Sequence, residues 1–531
     1  MKTKVLVEIF SSIVTALLFL LVYSGWTSPL DPFYHYDSSA FFTIGKCITD
    51  GYAPHLDLFD HKGPLLYVIY AVGWLIYPGK AGLFFLQVCN LTFFIFFNYR
   101  FFRNYIPRYQ SYFAVIVVLF LLGGGLVGEG GLTEEWSLVF CVYPLFVVLN
   151  QFKCSSSAAG FSWSSWLILG LCLGANLMLR PNNAGVVCGL LIALGFCLVA
   201  EKKWAVLIRV IALVFLGLLI VVIPLLLFLS GRNALGACID SYLRFNFEYA
   251  RISTSSNDSD CAIITHLSRY LILGVAMDVV VILVYIRCVA QRKAAFCLFI
   301  AISCVLCAVS VGNGYRHYYN LIVALVPLLV WAASKLQFGA WANQSQRMVA
   351  YVLLSLCAMP YIVGALSSPL RCVYRLLFPV LDTPYTRQVF KILPDAVYDK
   401  IYSRSLIPAR DTPYHLFCQS AKTRIPEGSS LLAINAWPDV YLYTGRNPSY
   451  RFFFLQEQLA RSRSTITSSL YDYLCSADSP VWLIIPTNDQ GIPRINDSRI
   501  LGCVMSQYVR VIESQEFAPD FKMALYQRIA R

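Results

Sequence analysis

The chain has 531 residues, of which 58% are hydrophobic and only 13% charged, with a mean hydropathy of +0.62. That composition excludes a soluble globular protein and calls for many membrane-spanning helices, each of about 20 predominantly apolar residues. The net charge of +13 signals no nucleic-acid partner, because the basic residues fall in short clusters between apolar runs, as the positive-inside rule requires.

Lys2 and Lys4 place the N-terminus in the cytoplasm. The apolar run to Tyr23 is long for a signal peptide and no small-x-small cleavage site follows it, so it reads as an uncleaved first helix over about 5–23. The loop beyond it faces outside. It carries an isolated acid, Asp37, and then the polar knot Asp57-Leu-Phe-Asp60-His61-Lys62-Gly63-Pro64. The segment 64–78 is short and rich in Tyr and Trp, and it reads as a helix lying flat at the interface. A flat helix keeps Arg100, Arg103 and Arg108, which follow the next run (about 82–102), on the cytoplasmic side.

Further spans follow at about 111–127, 136–151, 163–179, 184–200 and 205–229. A longer loop over 230–263 precedes spans at about 264–286, 294–311, 318–334 and 348–367. The expectation is a polytopic α-helical membrane protein of about eleven transmembrane helices plus one interfacial helix. Lys and Arg mark nearly every cytoplasmic turn. From about 368 onward charges, prolines and turn residues become frequent. Leu431–Asn435 and Val481–Pro486 read as buried strands, and Ala436–Asp439 reads as a turn into a short helix. The expected division is therefore a transmembrane domain over 1–367 and a small extracytoplasmic α/β domain over 368–531. The 18 cysteines have no zinc-type spacing, so metal dependence stays open. A disulfide among Cys418, Cys475 and Cys503 is one reading of the C-terminal part.

Several polar residues support two readings each. Asp37, ahead of the helix-like stretch 38–48, is either a base withdrawn from water or a helix N-cap. Lys62 either holds a phosphate or snorkels to headgroups, with Asp60 orienting it and His61 at the interface. One of Glu134 and Glu135, with Glu134 favoured, either faces the same cavity as Asp37 or the pair offsets the dipole of the helix it begins. Arg180 and the cluster Arg316-His317-Tyr318 lie at outer helix ends, where arginines are exceptions to the charge rule. Phosphate recognition is one reason for them, and headgroup contact is the other.

The early acid, the Lys-Gly-Pro before a flat aromatic helix, the second acid in the next outer loop and the C-terminal domain together resemble the GT-C superfamily. The first-loop stretches Asp37-Ser38-Ser39, Gly51-Tyr52-Ala53-Pro54 and Asp57–Pro64 are most similar to family 39-like, RgtA/B/C/D-like glycosyltransferases. These are relatives of the protein O-mannosyltransferases and the lipid A aminoarabinose transferase. The resemblance covers about residues 1–335. It implies inverting transfer of a sugar from a polyprenyl-phosphate donor to a glycan or lipid acceptor at the outer face of the bacterial inner membrane. Asp37 and Glu134 would be its acids and Lys62 a donor-phosphate contact. This chain has Asp37-Ser38 where the protein mannosyltransferases have adjacent Asp-Glu. The alternative is a transporter or flippase for lipid-linked or anionic solutes, although its charges would be expected in mid-helix.

Overall fold

The structure, a computed structural model, describes residues 2–29, 34, 36–126, 130–253, 260–310, 316–336, 413–488, 490–513 and 522–529. The expected span at 348–367 and the expected domain boundary at 367/368 lie outside these residues.

The first ten expected spans are all helical. α1 (Lys2–Tyr23) is followed by α2 (Tyr36–Thr49), α3 (Pro64–Ile76), α4 (Lys80–Phe102), α5 (Arg108–Leu126) and α6 (Thr133–Cys154). Next come α7 (Trp163–Leu179), α8 (Gly185–Ala200) and α9 (Trp204–Ser230). Among the described residues seven helices are long and apolar enough to cross a membrane, while Pro64–Ile76, Arg108–Gly123 and Trp163–Leu179 are apolar but shorter. α9 is the most lipid-like, with a mean hydropathy of 3.3 and an apolar surface that stays largely uncovered by the protein, including Ile208, Ile211, Phe215 and Leu227. The chain is a multi-pass membrane protein.

α3 has 13 residues, about 20 Å at 1.5 Å per residue, short of a bilayer core of about 30 Å. Pro64 starts it, at the first helical position that tolerates the missing N–H. Two glycines let it nest between its neighbours. A Cβ on Gly45 of α2 would lie 2.7 Å from the Tyr70 Cβ, and one on Gly82 of α4 would lie 1.9 Å from the Gly73 carbonyl.

The expected loop 230–263 is instead largely helical: α10 (Leu235–Cys238), a π-helical segment (Ile239–Arg244) and α11 (Phe245–Ser253). Its moderate polarity and short pieces hid it, because no run is long enough to show an apolar period. α12 (Asp260–Arg287) and α13 (Arg292–Ser310) follow. The expected span at 318–334 is broken: a 3-10 turn (Arg316–Tyr319), α14 (Asn320–Val323) and, beyond a turn at 324–326, α15 (Pro327–Leu336). Pro327 restricts the residue before it and opens the new helix. Aromatic and aliphatic side chains of α1, α4, α5, α6, α8, α13 and α15, among them Phe101, Phe146, Leu190 and Trp331, form the continuous membrane core.

Among the described residues the C-terminal domain contains α16 (Pro413–Arg424), α17 (Asp439–Thr444), α18 (Gln456–Ala460), α19 (Thr465–Cys475) and α20 (Ser498–Gln507). β1 (Leu431–Ala433) and β2 (Trp482–Pro486) are the expected strands. They pair in parallel, Leu431 opposite Trp482, and are joined by a helical crossover, which parallel strands require. β3 (Tyr508–Glu513) and β4 (Met523–Arg528) add antiparallel pairs to give the order β1-β2-β4-β3.

This domain sits directly on the first loop. The Phe59 N–H donates to the Arg451 carbonyl at 2.8 Å and the Arg451 Nε to the His55 carbonyl at 3.1 Å. The Thr43 hydroxyl donates to the Pro438 carbonyl at 3.2 Å, and Asn447 donates to Asp50 at 2.9 Å. Arg463 bridges Asp240 (2.7 Å) and Glu248 (2.9 Å) of the 235–253 segment. The two sides thus share one polar seam.

Candidate active site

A cavity of about 370 Å³ lies at that seam. The transmembrane part contributes Trp26, Tyr36, Asp37, Phe41, Asp60, His61, Lys62, Arg180, Phe245, Asn246, Tyr249, His317 and Tyr318. Residues that lie as far apart in sequence as Trp26 and Tyr318 therefore meet in one place.

Asp37 stands in the first turn of α2, half-buried at the cavity wall. Its carboxylate makes no hydrogen bond or ion pair with any described residue, so nothing there engages it as an N-cap. Tyr36 beside it has φ 39°, a left-handed conformation that costs a non-glycine residue of the order of 1–3 kcal/mol.

The Asp60-His61-Lys62 triplet forms a short chain of contacts. The buried Asp60 Oδ1 accepts the His61 N–H at 2.7 Å and lies 3.2 Å from His61 Nδ1. His61 Nε2 lies 3.0 Å from Lys62 Nζ. Burial and the neighbouring Lys62 charge push the His61 pKa down, so the imidazole is neutral and its Nε2 accepts from the ammonium. Burial alone would raise the Asp60 pKa, but its hydrogen bonds from His61 and the nearby Lys62 charge hold it down at about 2. Asn246 donates to the His61 carbonyl at 2.8 Å, and the rings of Phe245 and Tyr249 flank the imidazole at 5.8 and 5.6 Å. His61 is therefore a packed link in this chain of contacts. Gly63 has its own reason. Its N–H donates to the Leu179 carbonyl at 3.0 Å, and a Cβ there would lie 2.0 Å from the Met178 carbonyl oxygen. The loop can cross the end of α7 only at a glycine.

Arg180 follows α7 and lies with its guanidinium 4.0 Å from the Tyr318 ring centroid. Its Nη1 donates to Glu134 Oε1 at 2.7 Å. Glu134 thus departs from the expectation of a second acid in the cavity. It is buried behind Arg180, and its carboxylate is occupied as that arginine's counter-ion. Glu135 departs further. It accepts from Gln87 Nε2 and from the Gly131 N–H, both at 2.8 Å, and so fixes the turn that enters α6, away from the cavity. His317 and Tyr318 line the cavity, their rings in T-shaped contact at 4.7 Å. The backbone of Arg316 belongs to the same 3-10 turn, and its side chain lies outside what is described. Among the described residues no group of three or more His, Cys, Asp or Glu is placed to hold a metal ion.

The C-terminal domain completes the wall with Trp437, Phe454, Leu455, Gln458, Leu459 and Ser462. No sequence pattern signals this. Trp437 does stand ahead of the expected short helix, but nothing along the chain ties it to Asp37, 400 residues earlier. The Tyr36 and Trp437 rings meet edge to face at 5.1 Å across the seam.

No family model matches the chain, and no curated protein matches it in sequence. Solved structures do. ArnT from Cupriavidus metallidurans bound to undecaprenyl phosphate superposes with a TM-score of 0.58 at 12% identity, over 99% of this chain and 98% of that one. Its apo state gives 0.54, again at 12% identity, over 100% and 98%. The chain has the GT-C fold. The likeness covers the C-terminal domain as well as the helices. At this identity it carries no residue assignments, which rest on the geometry above.

Proposed function

We propose that this chain is a glycosyltransferase that moves a sugar from a polyprenyl-phosphate donor to a glycan or lipid acceptor at the extracytoplasmic face of the bacterial inner membrane. The observation that carries the reading is the cavity itself, where Lys62, Arg180 and His317 gather opposite Asp37, whose carboxylate no described residue engages. A phosphate needs cations, and an acceptor hydroxyl needs a base. The similarity to a protein solved with undecaprenyl phosphate supports a donor of that class.

In this reading the donor phosphate lies between Arg180, Lys62 and His317. Negative charge gathers on the phosphate oxygen as its bond to the sugar's anomeric carbon breaks, and the Arg180 and Lys62 cations, with a hydrogen bond from the His317 ring, stabilise it most at that point. Asp37 takes the proton of the acceptor hydroxyl as that oxygen attacks the opposite face, so the configuration inverts. Asp60 and His61 position Lys62, and Glu134 positions Arg180.

The test is a transfer assay with purified chain in proteoliposomes, a panel of polyprenyl-phosphate sugars and candidate acceptors. Labelled sugar should appear on an acceptor together with free polyprenyl phosphate. Movement of intact donor across the bilayer without transfer would instead support a transporter. One observation favours that second reading: Asp278 is a buried carboxylate within α12, accepting from Ser303 at 3.3 Å, and charges inside the membrane often mark transport paths.

A further inference from the structure

Cys475 is the last residue of α19 and Cys503 lies within α20. Their Sγ atoms are 3.6 Å apart. Neither helix is free to carry its thiol away. Leu470, Leu474, Ile500, Cys503 and Val504 share one apolar cluster. Just beyond Cys475, Arg528 of β4 donates to the carbonyls of Ala477 (3.2 Å) and Ser479 (3.3 Å). The other cysteine of this domain among the described residues, Cys418, is fully buried in a different cluster.

We infer that Cys475 and Cys503 form a native disulfide, made by thiol–disulfide exchange with an extracytoplasmic oxidant of the dithiol/disulfide class. The sulfurs must approach by about 1.5 Å to reach a bond of about 2.05 Å, which side-chain rotation supplies. Cys475 is exposed and meets the oxidant first, whereas Cys503 is buried. The Cys475 thiolate attacks the oxidant's disulfide and expels one thiol. The Cys503 thiolate then attacks the Cys475 sulfur and expels the second. The protein loses two protons and two electrons, and the oxidant leaves as its dithiol. Burial and the facing Cys475 push the Cys503 thiol up to about 11, while the nearby Arg528 charge favours its thiolate. That order of attack follows from access.

The bond would close the loop 475–503, which holds β2 and all of a shallow polar groove from Pro486 to Leu501 apart from Asn435 and Glu457. The inference takes the domain's extracytoplasmic placement from the reading above, so its test has two arms. In the first, full-length protein is taken from its native membrane with thiols alkylated at lysis, and its non-reduced digest is analysed by mass spectrometry. The expected result is one linked peptide pair holding residues 475 and 503, two hydrogens lighter than the sum of its reduced halves, with Cys418 alkylated. In the second, purified reduced full-length protein is treated with oxidised glutathione, where the same pair should close. Closure only in the second arm overturns the native bond through the compartment and leaves the site chemistry standing. Failure in both arms, or a bond to Cys418, overturns it through the geometry. Reductant should lower the thermal midpoint of oxidised wild type by several degrees and leave the Cys475→Ser/Cys503→Ser variant unmoved.

Discussion

The transmembrane wall of the cavity presents Asp37, Lys62, Arg180 and His317, whereas the wall built by the C-terminal domain presents Trp437, Phe454, Leu455, Gln458, Leu459 and Ser462, none of them ionisable. Each cation on the first wall with described contacts is held by something behind it: Lys62 by His61 and Asp60, Arg180 by Glu134 and Tyr318. The second wall hangs from a short helix, α18, entered through Leu455 at φ 45°. The contrast assigns charge chemistry to the membrane-anchored elements. Under the proposed function, shape and acceptor contact would fall to the C-terminal domain, which meets those elements along a polar seam.

The first wall should break hardest at Asp37. Asp37→Asn keeps shape and capping ability but removes a proton acceptor. Turnover should fall by about 10²–10⁴-fold with folding intact; near wild-type transfer would leave Asp37 without a catalytic role. Arg180→Ala comes next, because it strands the Glu134 carboxylate in the protein interior. Breaking such a pair costs about 3–5 kcal/mol. The thermal midpoint should drop clearly, and Arg180→Ala/Glu134→Gln should recover much of it without recovering transfer. A single variant as stable as wild type would mean that Glu134 is not Arg180's dependent partner.

Lys62→Ala should reduce kcat/KM by about tenfold to over a hundredfold, the equivalent of a charge-assisted hydrogen bond of about 1.5–3 kcal/mol. Lys62→Arg should restore only part, since a planar guanidinium cannot take the ammonium's place on His61 Nε2. A lysine that merely snorkels would leave Ala mild and Arg silent.

The seam between the walls should loosen in acid. Burial, against the opposing pull of Asp60, lowers the His55 pKa from 6.5 to about 4. The folded protein keeps this imidazole neutral while the unfolded chain takes up a proton below about 6.5. Its contribution is therefore complete above pH 6.5 and is lost as pH falls towards 4. The shift corresponds to at most about 3 kcal/mol. His55→Asn should flatten stability against pH in that window, and an unchanged profile would remove His55 from the account. The smallest effect is expected on the second wall. Gln458→Ala should raise the acceptor KM by about fivefold, roughly 1 kcal/mol, with kcat unchanged; an equal loss in kcat would put that wall in the chemistry.

The sequence by itself determined the membrane class, ten of the helices, two strands and most of the cavity's charged residues. Hydrophobic runs must match the bilayer whatever surrounds them, and a charge near a membrane is costly enough to stand out as a residue with a task. Tertiary structure alone decided how those charges divide the work. Glu134 and Glu135 read alike along the chain, yet one meets Arg180 and the other Gln87 and Gly131. Partner choice depends on which helix packs alongside, and no local pattern encodes it. For the same reason the helical 235–253 segment and the Trp437–Ser462 wall stayed illegible. Their residues are ordinary in composition, and only a seam closed across hundreds of positions gives them a cavity to line. Gly63 sums up the division: its place beside Lys62 was plain from the sequence, but its necessity comes from the Met178 carbonyl it has to pass.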